Sequence, residues 1–118
     1  MGESSASDWK LKLRYGLLKT PYSHFTVIAE GVMTREENDF DCPEGNAFMA
    51  MKAWASSGDE ASEMTCAIGR HIGFEATKRV YIYSTEPEDP PEDKPYGYAI
   101  RFTPFDGDAS DAAEEKES

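Results

Sequence analysis

The stretch AFMAMKAWASSGDEASEMTCAIGRHIGFEATKRVYIY, residues Ala47–Tyr83, decides the fold. Residues 47–55 and 79–83 alternate between small or aliphatic side chains and basic or aromatic ones, which is typical of strands with one buried face. The segment between them repeats apolar residues at helical spacing. The stretch therefore predicts a strand, a helix and a second strand parallel to the first, with the helix covering one face of their sheet.

Local signals mark both ends of the predicted helix. Ser57 stands three residues before Glu60, the spacing of a capping box in which both side chains satisfy free backbone N–H groups. Gly73 supplies the left-handed residue that commonly follows the last turn. Gly69 weakens the helix, and its expected use is a close approach to the sheet. The apolar stripe facing the sheet is predicted to contain Ala61, Met64, Thr65, Ile68 and Ile72.

Three more strands are predicted outside this stretch. Trp9–Tyr15, WKLKLRY, alternates without a break, so Trp9, Leu11, Leu13 and Tyr15 are expected in the core. His24–Val32 forms the second strand and Tyr96–Pro104 the last one. In the last strand, Tyr98, Ile100 and Phe102 are expected on the helix side, with Ala99 and Arg101 on the other side. Thr85–Pro95 contains four prolines and is predicted to be a stiff extended connector.

These segments predict a single α+β domain at residues 9–105. Its order is β-β-β-α-β-β, with one helix packed on one face of a mainly antiparallel five-stranded sheet. Residues 1–8 and the acidic residues 106–118 are predicted to be disordered tails, because they offer little apolar surface to bury. The chain of 118 residues has the size of one domain and contains no apolar run long enough to span a membrane.

The reactive residue types do not form a catalytic or metal-binding pattern. Neither His24 nor His71 has metal-ligand spacing with a cysteine, and Cys66 and His71 point to different sides of the helix. The acids of residues 36–44 lack the spacing of a calcium loop and are interpreted as solvated. No catalytic residue, metal or cofactor is therefore predicted. Cys42 and Cys66 indicate a cytoplasmic protein with free thiols, although the sequence leaves their pairing open.

The face of the sheet opposite the helix is the strongest candidate for a binding surface. In each strand, the small or aliphatic side chains are expected to pack against the helix. The side chains that alternate with them must then point to the opposite face of the sheet. The residues predicted on that face are Lys10, Lys12, Arg14, Lys52, Trp54, Arg79, Tyr81, Tyr83 and Arg101. Basic and aromatic side chains would thus gather on one surface of a chain whose net charge is −11. The alternative is an ordinary solvent-facing side of a sheet, where lysine guards edges and tyrosine favours strands.

Three functions are compared. The first is a small non-catalytic cytoplasmic binding domain that uses this face for a protein partner or for self-association, with Trp54, Tyr81 and Tyr83 as anchors. The second is a single-stranded nucleic-acid binder on the same face, which the overall acidity disfavours. The third is an enzyme, for which the sequence supplies no coherent set of acid, base and nucleophile. A binding domain is the preferred interpretation.

Overall fold

The computed structural model describes residues 9–105, and within them it confirms the α+β class. The predicted tails, residues 1–8 and 106–118, lie outside the described residues. A short 3-10 helix, Asn38–Phe40, lies within the acidic segment of residues 36–44. The strands are β1 (Ser23–Met33), β2 (Gly45–Ala55), β3 (Phe74–Glu75), β4 (Val80–Ser84) and β5 (Tyr96–Pro104), and the main helix is Gly58–Ile72.

All strand pairings in the sheet are antiparallel, and β1 is the central strand. One edge of β1 pairs with β2 along its whole length, and the other edge pairs with β4 and the very short β3. β5 pairs with the outer edge of β2. Because β2 and β4 both run antiparallel to β1, they run parallel to each other, as predicted. They are not neighbours, however, since β1 lies between them.

The main helix begins and ends where the local signals predict. Ser57 Oγ accepts a hydrogen bond from Glu60 N at 3.1 Å. The Glu60 carboxylate accepts from Ser56 N at 2.7 Å, one residue before the position that a capping box implies. At the other end Gly73 has φ 125°, and its N–H donates to the Gly69 carbonyl at 2.9 Å. A left-handed residue of this kind is favourable for glycine alone.

Small residues bring the helix close to the sheet. Ala61, Thr65 and Gly69 are its buried positions, with Met64, Ile68 and Ile72 half-buried beside them. A Cβ atom added at Gly69 would lie 3.0 Å from Met49 Sδ, so the predicted close approach is present. The buried core under the helix contains Val27, Ala29, Met33, Met49, Met51, Ala53, Phe74 and Phe102.

The first predicted strand is wrong, because residues 9–14 are helical. Tyr15 N donates to the Leu11 carbonyl at 3.0 Å, as in a helical turn. The side chains expected in the core are largely outside it: Leu11 is 47% exposed and Tyr15 is 71% exposed. Leucine, lysine and arginine are good helix formers, and this propensity outweighs the alternating pattern where the segment has no neighbouring strand to pair with.

The predicted orientation of Tyr98 is also wrong, because β5 contains a β-bulge. Ala50 lies opposite Arg101, but Lys52 lies opposite Tyr98, so β5 has an extra residue at this point. Ala99 marks the bulge with a φ of 57°. An extra residue reverses the alternation beyond it. Tyr98 therefore lies on the same face as Arg101 and not beside Phe102.

Candidate binding surface

The face of the sheet opposite the main helix is called the open face below, and strand register defines its side chains. One row across the sheet contains Tyr83, Thr26, Lys52 and Tyr98. The next row contains Tyr81, Ile28, Ala50 and Arg101. Directly opposite residues in a ladder share a face. The register thus places Lys52, Trp54, Tyr81, Tyr83 and Arg101 on the open face, at the positions that the alternation predicts.

One end of the open face is covered by the proline-rich connector. Trp54 is only 2% exposed, and its indole N–H donates to the Asp89 carbonyl at 2.8 Å. Tyr96 donates its hydroxyl hydrogen to the Pro90 carbonyl. Burial, with added repulsion from Glu92 and Asp89, raises the pKa of Tyr96 to about 12. The connector therefore folds back over Trp54, and this predicted anchor is not accessible at the surface of the open face.

His24 and Tyr98 fasten the start of the connector to the sheet. His24 Nδ1 lies 3.0 Å from the Thr85 carbonyl, and His24 Nε2 lies 2.7 Å from Tyr98 Oη. Tyr98 Oη also accepts hydrogen bonds from the backbone N–H groups of Glu88, at 3.0 Å, and Asp89, at 3.2 Å. The Trp54 ring packs edge-on against His24, with ring centroids 5.2 Å apart. These contacts form a structural clamp rather than an open reactive site.

The hydrogen bonds around His24 specify its tautomer. Tyr98 Oη accepts from two backbone N–H groups, so its single hydrogen is available to donate to His24 Nε2. The proton on the neutral imidazole is then on Nδ1, where it donates to the Thr85 carbonyl. Burial lowers the pKa of His24 below its ordinary value of 6.5. Both observations favour a neutral His24 inside the clamp.

Beyond the clamp, the open face contains an uncovered depression of about 320 Å³, called the trough below. Lys52 and Glu88 form an ion pair on its border, with Lys52 Nζ 2.7 Å from Glu88 Oε2. The hydrogen bond and charge of Lys52 lower the pKa of the Glu88 carboxyl. Arg101 is exposed on the same border. The residues lining the trough are Thr26, Ala50, Met51, Lys52, Glu88, Ala99 and Arg101.

Tyr81 and Tyr83 lie across β1 from the trough. Tyr83 is opposite Thr26 and Tyr81 is opposite Ile28. The two tyrosines are 36% (Tyr81) and 49% (Tyr83) exposed, although both have large apolar rings. Neighbouring strands are about 4.8 Å apart, so the backbones of β4 and β5 are separated by roughly 14 Å across β1 and β2. Tyr81 and Tyr83 thus form an aromatic border on β4, and Arg101 forms a basic border on β5. The shorter side chains of Thr26 and Ala50 lie between the two borders.

Three of the predicted site residues are not on the sheet. Lys10, Lys12 and Arg14 are exposed on the helical segment 9–14, which is not part of the sheet. This segment lies beside the connector, where Lys10 and Arg14 line a groove with Glu86 and Pro87. Arg79 is different: it is exposed just before β4, and its carbonyl accepts a hydrogen bond from Glu30 N at 2.9 Å, which extends the pairing of β1 with β4. The basic surface is therefore smaller than the alternation predicts.

His24 and Cys66, two of the residues considered for chemistry, lie on opposite sides of the sheet. His24 lies in the clamp on the open face, whereas Cys66 lies on the main helix against the opposite face. Cys42 and Cys66 are both free, and burial raises the pKa of the Cys42 thiol, which makes it a poor nucleophile. Within residues 9–105, no three His, Cys, Asp or Glu side chains are grouped so that they can hold a metal ion.

The residues that the sequence did not reveal are Tyr96, Tyr98, Thr85 and Glu88. Gly97 was the available signal, because glycine inside a strand often marks a bulge or a close backbone approach. A Cβ atom at Gly97 would clash with the methyl carbon of Met51, so this position has no room for a side chain without repacking. Nothing in the sequence near Thr85 or Glu88 indicates which surface the connector covers.

Comparisons with known proteins indicate no family and no activity for this chain. No protein-family model, curated protein or solved structure matches the chain. Within residues 9–105, no helix has both the length and the apolar character needed to cross a membrane. The trough, its two borders and the clamp beside it are therefore the features that bear on function.

Proposed function

We propose that this chain is a non-catalytic binding domain that holds an extended segment of a protein partner in the trough. One observation carries the proposal: exposed tyrosines on β4 and exposed Arg101 on β5 lie on either side of a depression lined by Thr26 and Ala50. Tyrosine and arginine are the residue types that dominate the energetics of protein interfaces. A stable clamp beside the trough would keep its border in place before a partner arrives, which lowers the entropic cost of binding.

The chemistry of the borders indicates what the partner segment should contain. Tyr81 and Tyr83 offer ring surface that suits an apolar or aromatic side chain. Arg101 offers a guanidinium that pairs best with a carboxylate. We therefore expect a segment with an apolar residue and an acidic residue far enough apart to reach both borders. Lys52 contributes less, because Glu88 already neutralises it at 2.7 Å.

A protein partner is favoured over single-stranded nucleic acid on the same face. Nucleic-acid binding needs a continuous positive surface for phosphates and freely accessible rings for bases. Three of the basic residues are on the helical segment 9–14, Lys52 is paired, and Trp54 is buried. The whole chain carries a net charge of −11. The remaining basic surface is better suited to one or two carboxylates than to a polyanion.

The cytoplasm is the compartment that fits this proposal. Cys42 and Cys66 are both free thiols, and Cys42 is buried at 2% exposure. Structural disulfides are typical of oxidising compartments, whereas unpaired cysteines are typical of reducing ones.

A peptide-selection experiment tests the proposal and works with a partner that has not been identified. A library of random linear peptides displayed on phage is selected on the purified chain. Counter-selection uses the double variant Tyr83→Ser, Arg101→Glu. We expect the enriched peptides to combine an acidic residue with an apolar or aromatic residue and to lose binding to the variant. Glu63→Lys, exposed on the main helix, is the matched control and should retain binding. Failure to enrich any peptide, or enriched peptides that bind the double variant equally well, would reject the trough.

A further inference from the structure

The two outer strands of the sheet differ in how their free edges are protected. β5 carries the bulge at Ala99 and ends at Pro104, and both features discourage pairing with another strand. β4 has the sequence VYIYS, with no proline, glycine or charged residue. Among residues 9–105, β4 pairs only with β1. The β4 edge is therefore an unprotected strand edge of the kind that pairs with a further strand.

The ladder between β1 and β4 specifies which backbone groups of β4 point outward. Glu30 N donates to the Arg79 carbonyl, and Thr85 N donates to the His24 carbonyl. Hydrogen-bonded pairs alternate along an antiparallel ladder, so the N–H and C=O groups of Tyr81 and Tyr83 also point toward β1. The N–H and C=O groups of Val80, Ile82 and Ser84 consequently point away from the sheet.

We propose that the β4 edge binds the β4 edge of a second copy of this chain, antiparallel and centred on Ile82. In this register Ile82 lies opposite itself, and Val80 lies opposite Ser84 of the second copy. These are the positions whose backbone groups point outward, so the pairing forms about six hydrogen bonds, two for each of the three opposed pairs. The two sheets become one continuous sheet. This inference goes beyond the proposed peptide site, because it concerns the strand edge and not the trough.

The side chains of β4 are self-complementary in the same register. Tyr81 lies opposite Tyr83 of the second copy on the open face, and aromatic cross-strand pairs are favourable. Ile82, which is 39% exposed on the helix side, is covered by its own counterpart. A register shifted by one residue would place outward-pointing groups against inward-pointing ones and lose the hydrogen bonds.

Amide hydrogen exchange tests this register residue by residue. The N–H groups of Val80, Ile82 and Ser84 should exchange more slowly as the chain concentration rises. At a concentration where about 90% of the chains are dimeric, exchange at these positions should slow by about tenfold. Tyr81 and Tyr83 are the internal controls, because their N–H groups already bond to β1 and should not respond to concentration. Rates at Val80, Ile82 and Ser84 that are independent of concentration would overturn the proposal.

Variants that introduce charges on β4 test the same pairing through the oligomeric state of the chain. Tyr81→Lys, Tyr83→Lys places lysines opposite lysines, and Tyr81→Glu, Tyr83→Glu places glutamates opposite glutamates. In sedimentation equilibrium each double variant should be monomeric, whereas an equimolar mixture should form a one-to-one heterodimer. Circular dichroism of each variant checks that it is folded. A wild-type chain that stays monomeric at millimolar concentration, or a mixture that does not associate, would overturn the proposal and leave β4 as an edge for another protein's strand.

Discussion

Replacing Tyr98 with phenylalanine should loosen the connector without disturbing the core. Tyr98→Phe keeps the ring on the open face and removes only the hydroxyl group. That group donates to His24 Nε2 at 2.7 Å and accepts from the backbone N–H groups of Glu88 and Asp89. The variant therefore breaks three hydrogen bonds between β5, β1 and the connector in a single step.

The expected cost follows from which groups can reach water. Glu88 and Asp89 are exposed, so water can replace the hydroxyl at their N–H groups with little net loss. His24 is only 6% exposed, so its Nε2 atom loses a partner in a site with poor access to water. An unsatisfied buried polar group costs about 1–3 kcal/mol. We therefore expect the free energy of unfolding to fall by about 1–3 kcal/mol.

Urea unfolding followed by circular dichroism measures this change, and the slope against denaturant should stay constant. Tyr22→Phe is the matched control: its hydroxyl donates to the Asp93 carbonyl at 3.1 Å in an exposed position, so its loss should cost well under about 1 kcal/mol. Exchange at the Glu88 and Asp89 amides should accelerate in Tyr98→Phe alone. Equal unfolding midpoints for Tyr98→Phe and wild type would refute the clamp.

Three further predictions concern pH, the helix cap and the core. Acidification from pH 7 to pH 5 should lower the free energy of unfolding, because burial lowers the pKa of folded His24 and the unfolded chain takes up the proton first; urea titrations at both pH values should show a smaller loss in His24→Gln. Ser57→Ala should cost about 1 kcal/mol through loss of the bond to Glu60 N, whereas Ser57→Gly should cost only a few tenths, in thermal unfolding. Met49→Ala should cost about 2–5 kcal/mol because Met49 is fully buried, and an unchanged urea midpoint would contradict the core assignment.

The main helix was predictable because its signals are local. The cap at Ser57, the stop at Gly73 and the close approach at Gly69 all depend on residues within a few positions of one another. The parity of β2 and β4 was predictable for a similar reason, since one buried face imposes alternation along each strand. Together these features supply the helix, its covered sheet face and the position of Tyr81 and Tyr83.

The remaining features depend on contacts between distant segments. Trp9–Tyr15 has an alternating pattern, but its lysine, leucine and arginine residues also favour a helix, and only the absence of a neighbouring strand decides between the two. The prolines of Thr85–Pro95 indicate a stiff connector without indicating that Trp54 lies beneath it. The bulge at Ala99 reverses the side of Tyr98, and a single glycine, Gly97, was its only local sign.

Chemical-shift mapping of the ¹⁵N-labelled chain with a selected acidic peptide tests the trough most directly. The largest shifts should fall on Tyr81, Tyr83, Ala50 and Arg101, with saturation at one peptide per chain. The amide of Glu63, on the exposed side of the main helix, should not move. The Tyr83→Ser, Arg101→Glu variant should show no saturable shifts. Saturable shifts confined to the main helix or to the acidic residues 36–44 would contradict a binding site on the open face.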